Sequence, residues 1–346
     1  MAQINKASEY FNTVLYTGTG SELAITGVGF QPDWTWIKRR DAVANGGMFD
    51  NVRGATKLLS SSQTDGEQTL AQSLKSFDSD GFTLGTGTNG YVNTNGSTTV
   101  AWNWLGANTT ASNTDGDIAS TVSANTTSGF SIVSYTGNAT AGATIGHGLG
   151  STPKMIIVKN RESVYDWRVY HQSLGSTKYL NLNTDGGFGT ATSIWNDTNP
   201  TSSVFSIGDS PRVNESGIGF IAYCFAEKKG FSKFGSYTGN GNVDSPFIYL
   251  GFKPAFMIFK RTDSAVDWTM YDNKRIGYNP NNYKLRPNLS NAEYSTAGYF
   301  EADIVSNGFK IRTSDAEVNT SGGTYIYMAF AENPFTTSTG IPTTAR

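Results

Sequence analysis

Two histidines, one cysteine and a scatter of carboxylates are the residues of this 346-residue chain whose types could do chemistry. His147 lies in the turn Gly146-His147-Gly148 and His171 follows Tyr170. A zinc site needs three or four nitrogen or sulfur ligands at short spacing, and no third ligand accompanies either histidine. Both read as surface or turn residues. Cys224 sits inside the apolar run Phe220 to Phe225, where a lone thiol reads as a small core residue. Ser/His/Asp or Cys/His catalysis would need an elbow motif, which the chain lacks. Asp78-Ser79-Asp80-Gly81 and Asn113-Thr114-Asp115-Gly116-Asp117 resemble calcium loops without the closing glutamate at the twelfth position. The first becomes Val305-Ser306-Asn307-Gly308 further on, which reads as a hairpin turn. Glycoside cleavage needs two facing carboxylates, and nothing in the sequence pairs Glu67, Glu293 or Asp303. The expectation is a protein with no catalytic residues, no metal and no cofactor.

Charge and hydropathy narrow the classes further. The formal net charge is −2 and the pI about 5.8. The longest basic run, Lys38-Arg39-Arg40, cannot build the positive field of a nucleic-acid groove. No apolar run approaches the roughly 18 residues of a spanning helix, so membrane insertion is not expected. Met1-Ala2-Gln3-Ile4-Asn5-Lys6 has no apolar core of a secretory signal, which with the single cysteine suggests synthesis in a reducing cytoplasm.

The elements that must position these residues are strands. Short apolar runs between Gly, Asn and Thr clusters predict an all-β chain with many turns. The same text occurs three times. Gly230-Phe231-Ser232-Lys233-Phe234-Gly235-Ser236-Tyr237-Thr238-Gly239 is nearly Gly129-Phe130-Ser131-Ile132-Val133-Ser134-Tyr135-Thr136-Gly137, and is echoed by Leu15-Tyr16-Thr17-Gly18. A period of about 100 residues is too long for a solenoid and predicts three tandem homologous antiparallel β-sandwich domains, jelly-roll-like. The boundaries read as an arm at 1–9, sandwiches at 10–106, 129–229 and 230–335, a polar linker at 107–128, and a flexible tail at 336–346. Met155-Ile156-Ile157-Val158 and Phe256-Met257-Ile258-Phe259 are apolar on both faces, so those strands are covered on both sides. One face is a sandwich core; the other meets a sister repeat or another chain. A pseudo-threefold body and three beads on a string fit equally.

Several residues recur as a signature. Pro32, Pro153 and Pro254 each stand six residues before a lysine, Lys38, Lys159 and Lys260. Proline lacks an N–H and belongs at the first residue of a strand. The lysines read as strand ends whose ammonium groups reach water. Tyr16, Tyr135 and Tyr237 read as core residues with a hydrogen-bonded hydroxyl, and Trp167 and Trp268 as core filling in preference to a sugar-stacking surface.

Ser134-Tyr135-Thr136-Gly137, His147-Gly148-Leu149-Gly150 followed by Pro153, and Met328-Ala329-Phe330-Ala331-Glu332 carry a resemblance. The chain resembles, over roughly residues 10–335, a repeat domain of unknown function in virion proteins of tailed bacteriophages, especially marine and other aquatic ones. The resemblance implies a structural protein of the particle surface: a tail-fibre or adhesin component acting in host attachment, or a head-fibre or decoration protein. A polysaccharide-binding or -cleaving tail protein is the lesser alternative. Other virion proteins, a homotrimer and a host surface glycan are the partners it brings. Loops that differ between repeats are natural recognition sites. Residues 42–65, 183–203 and 274–300 differ most, and Asn196, Arg275 and Asn282 are the candidate contact residues.

Overall fold

The computed structural model describes residues 2–87, 91–296 and 301–343. Its architecture is nearly all-β, with every pair of neighbouring strands antiparallel in three large and three small sheets. Four consecutive strands of each large sheet follow one order. In the first it is Phe11–Thr17, Thr98–Trp104, Trp34–Arg39 and Gly47–Asp50. In the second it is Phe130–Thr136, Gly219–Ala226, Pro153–Asn160 and Arg168–His171. In the third it is Ser232–Thr238, Thr324–Pro334, Phe252–Arg261 and Thr269–Asp272. A small sheet of two or three strands backs each large one.

Period-two alternation decides what each face meets. In the second large sheet, Ile156, Val158, Phe220, Ala222 and Cys224 point outward into a core shared with the small sheet. Met155, Ile157, Ile221, Tyr223 and Phe225 point the other way, into a cluster that also holds Trp34, Trp36, Trp102 and Trp104 of the first sheet and Phe234, Phe256 and Phe330 of the third. Ring contacts cross every junction. Trp34 stacks on Tyr223 at 4.5 Å, Phe11 meets Phe256 at 5.7 Å, and Phe225 meets Phe330 at 6.0 Å.

The three sheets therefore enclose one central aromatic core, and the beads-on-a-string arrangement does not hold. Accessible area agrees. Three separate units of a third of the mass would expose roughly 18,000 Å² and one globule about 14,000 Å²; the chain exposes 11,909 Å².

Three boundary expectations change. Residues 107–128 are not a free linker. Ala111–Asn113 and Ser120–Asn125 add two strands to the edge of the second large sheet, and Ile118 bridges Ile145. Polar composition marked a solvated sheet edge there. The 1–9 arm, from residue 2 on, is packed, with Ala2, Ile4 and Ala7 buried and the Gln3 amide donating to the Lys229 carbonyl at 2.9 Å. The 336–346 tail, as far as residue 343, folds back through a Thr336–Pro342 bridge, and the Ser338 amide donates to Asn5 Oδ1 at 2.8 Å.

Candidate functional site

The residues singled out by spacing converge on the seams between the large sheets. Lys38, Lys159 and Lys260 are wholly buried, so the reading of water-reaching strand ends is overturned. Each ammonium crosses to a carbonyl of a different unit: Lys38 to Leu289 at 2.7 Å, Lys159 to Thr64 at 3.0 Å, and Lys260 to Asp185 at 2.9 Å. Local carbonyls, Ala44 for Lys38 and Val266 for Lys260, complete the cages. A neighbouring loop continues over each strand end and supplies the acceptors water would otherwise give. Burial pushes all three ammonium groups down to about 8.

The handover is cyclic: first unit to third, second to first, third to second. Three backbone bonds cross the same seams with the donor on the other side, from the Glu293 amide to the Arg40 carbonyl, from Glu67 to Arg161, and from Phe188 to Thr262. The indoles follow the direction of the lysines. Trp167 Nε1 donates to the Ser60 carbonyl at 2.9 Å and Trp268 Nε1 to the Asn181 carbonyl at 2.8 Å. The first unit has Gly46 at that position, and Trp36 takes over through Ser61 Oγ, which donates to the Pro287 carbonyl. Both tandem tryptophans are buried core, with no face free for a sugar. One further position in each unit points the opposite way round the ring. Asp50 accepts from the Tyr223 hydroxyl, Asp272 accepts from Trp102 Nε1, and His171 Nε2 lies 3.2 Å from the Tyr327 carbonyl.

Two seams carry a partly buried Arg–Glu–Arg triad. Glu67 accepts from Arg53 and Arg161, and Glu293 accepts from Arg275 and Arg40. Arg53 and Arg275 are each also paired to an aspartate three residues back, Asp50 and Asp272. Burial alone would raise the Glu67 carboxyl, but the guanidiniums of Arg161 and Arg53 hold it below the usual carboxylate range. In the third seam the corresponding residues are Leu174, Phe188 and Thr262, and all three line a cavity of about 340 Å³.

Arg275 is thus an internal seam residue, not a surface contact. Asn282 is buried as well, donating to the Ser295 carbonyl at 3.2 Å. Asn196 is half-exposed and left-handed, ending the short helix Thr192–Trp195. The variable loops chosen for recognition supply the carbonyls of Thr64, Asp185 and Leu289, so much of their variation serves the seams. Part of 274–300, residues 297–300, lies outside the described residues.

Both histidines are buried, contrary to the surface reading. His171 Nδ1 accepts from the Ser173 amide, and His147 Nδ1 from the Leu149 amide, so backbone groups engage both rings. Among the described residues no group of three or more His, Cys, Asp or Glu side chains could hold a metal ion.

The tyrosine hydroxyls donate to valine carbonyls: Tyr16 to Val92, Tyr135 to Val213, Tyr237 to Val318. Those valines open a motif not singled out from the sequence, Val-Asn-x-(Asn/Ser)-Gly, at 92–96, 213–217 and 318–322. Its asparagines, Asn93, Asn214 and Asn319, are wholly buried and clasp the turn after each tyrosine. Asn214 accepts from the Asn138 amide and donates to the carbonyls of Thr140 and Gly208. The turn glycine, Gly137, is required because a Cβ there would collide with the Glu215 carbonyl oxygen. The prolines vary more. Pro153 opens its strand as expected, Pro32 precedes Trp34–Arg39 by two residues, and Pro254 lies inside Phe252–Arg261 at a bulge that spares its missing donor.

No curated protein and no solved structure matches this chain. A family profile, described as a domain of unknown function (DUF7483), matches residues 6–334. With nearly its whole length covered, seams included, the chain belongs to that DUF7483 family.

Proposed function

We propose that this protein is a non-enzymatic structural component of a bacteriophage particle surface, made in the host cytoplasm, that acts in host attachment as a short appendage or fibre tip. The observation that supports it most is closure. Three sheets of one strand order pass lysines, indoles and backbone bonds round a ring. Particle appendages are often threefold, and a single chain closed in this way stands where a homotrimer otherwise would. The finer architecture that goes with this reading is three tandem β-sandwich units of jelly-roll type, each abbreviated, since its second layer has two or three strands. Other virion proteins and a host surface glycan are the partners.

The test is copy number per particle, by quantitative mass spectrometry of purified virions against the major capsid protein. A handful to a few dozen copies is expected for an attachment appendage. Hundreds would place the chain on the capsid as a decoration or head-fibre protein, and absence from the particle would overturn the structural reading.

A further inference from the structure

The seam between the second and third units departs from the other two as a set. Where they have arginine, glutamate and arginine, it has Leu174, Phe188 and Thr262. Replacing a buried ion triad by apolar residues that fill its volume is often neutral or stabilising. Here the volume is not filled. The three residues border a cavity of about 340 Å³, and Phe188 remains 39% exposed. That size lies within the range of small-molecule pockets, roughly 300–1,000 Å³.

The lining has a definite chemistry. Leu174 and Phe188 give an apolar wall. Ser173, Ser236 and Thr238 line the cavity, and their hydroxyls have no hydrogen-bond partner among the described residues. The Lys178 ammonium stands 4.1 Å from the Phe188 ring centroid, with no carboxylate in ion-pair range among the described residues. We propose that this seam binds an acidic saccharide unit, a hydroxylated ring bearing a carboxylate. An aliphatic ligand would leave three hydroxyls unpaired, and a neutral sugar would leave the ammonium without a counter-charge. Phosphate favours the guanidinium forks that this seam has lost. A sugar ring instead presents an apolar face to Leu174 and Phe188, hydroxyls to the serines and threonine, and its carboxylate to Lys178. The proposal rests on the attachment reading only for its biological meaning, because binding is tested on the purified chain.

Saturation-transfer NMR and titration would use D-glucuronate and N-acetylneuraminate, with D-glucose as the neutral control. At least one acidic sugar is expected to bind in the millimolar range, about tenfold or more tighter than glucose. Lys178→Gln is expected to weaken it about tenfold. The triple variant Leu174→Arg, Phe188→Glu, Thr262→Arg, which rebuilds the triad, is expected to abolish it. No transfer to either acid, equal binding of glucose, or full binding by Lys178→Gln would overturn the site. Should the triple variant not fold, Lys178→Gln decides alone, since that side chain is partly exposed and makes no ion pair in the described residues. Intact sugar binding by a protein that does not adsorb to host cells would sink the attachment reading and leave the site standing.

Discussion

The buried asparagine clasps bring the clearest consequences of single residues. Asn214→Ala would remove the partner of the Asn138 amide and of the Thr140 and Gly208 carbonyls, at about 1 kcal/mol for each lost partner. A loss of about 3 kcal/mol in urea unfolding is expected, and a change below 1 kcal/mol would show that water replaces the clasp. His171 gives a pH signature. Burial pushes its imidazole down to about 4, from 6.5 in an unfolded chain. Between those values the unfolded state holds the extra proton, so stability is lost as pH falls from 6.5 towards 4, by up to roughly 3 kcal/mol. His171→Gln is expected to flatten that limb of a Tm-against-pH curve. The clasp was legible, since Val-Asn-x-(Asn/Ser)-Gly stands in the sequence three times. It was overlooked because its members lie in turns, outside the apolar periodicity that marks strands. The lysines were not legible. A lysine ending an apolar strand reads the same whether water or another unit's carbonyl lies beyond it.

At the scale of elements, the seams behave as coupled units. Glu293 lies between two guanidiniums, and its removal leaves Arg40 without its carboxylate and Arg275 with Asp272 alone. Glu293→Gln is expected to cost roughly 1–3 kcal/mol, and the joint replacement of Glu293 and Arg40 by apolar residues less than the sum of the two single losses. A double-mutant cycle by chemical denaturation checks this, and additive losses would refute the coupling. The strands themselves were readable from alternation. Met155-Ile156-Ile157-Val158 announced two covered faces, and the structure gives one to the small sheet and one to the central core. What alternation could not supply was the identity of the second cover, because an apolar face is equally satisfied by a sister unit or a separate chain. The edge strands Ala111–Asn113 and Ser120–Asn125 were hidden for the opposite reason: small polar side chains on a solvated edge carry no apolar signal.

For the molecule as a whole, the caged lysines and buried tyrosines shape stability at alkaline pH. Lys38, Lys159 and Lys260 titrate near 8 when folded and 10.5 when unfolded, so across that interval the unfolded chain binds more protons and stability rises with pH. Above 10 the direction reverses, because unfolded tyrosines ionise while burial keeps Tyr135 and Tyr223 protonated. Tm is expected to peak between about pH 8 and 10, and a steady fall from pH 7 would show that the cages hold their charge. Mass photometry is expected to find a monomer of 37.2 kDa, since the ring closes within one chain. The reach of that closure also bears on synthesis. Lys38 waits for Leu289, 251 residues further along. At ribosomal speeds of about 5–20 residues per second, that interval is on the order of 10–50 s. Until the third sheet emerges, Trp102 and Trp104, whose cover includes Phe256 and Phe330, keep part of an aromatic face uncovered, so the nascent first unit is expected to be exposed to aggregation over that interval.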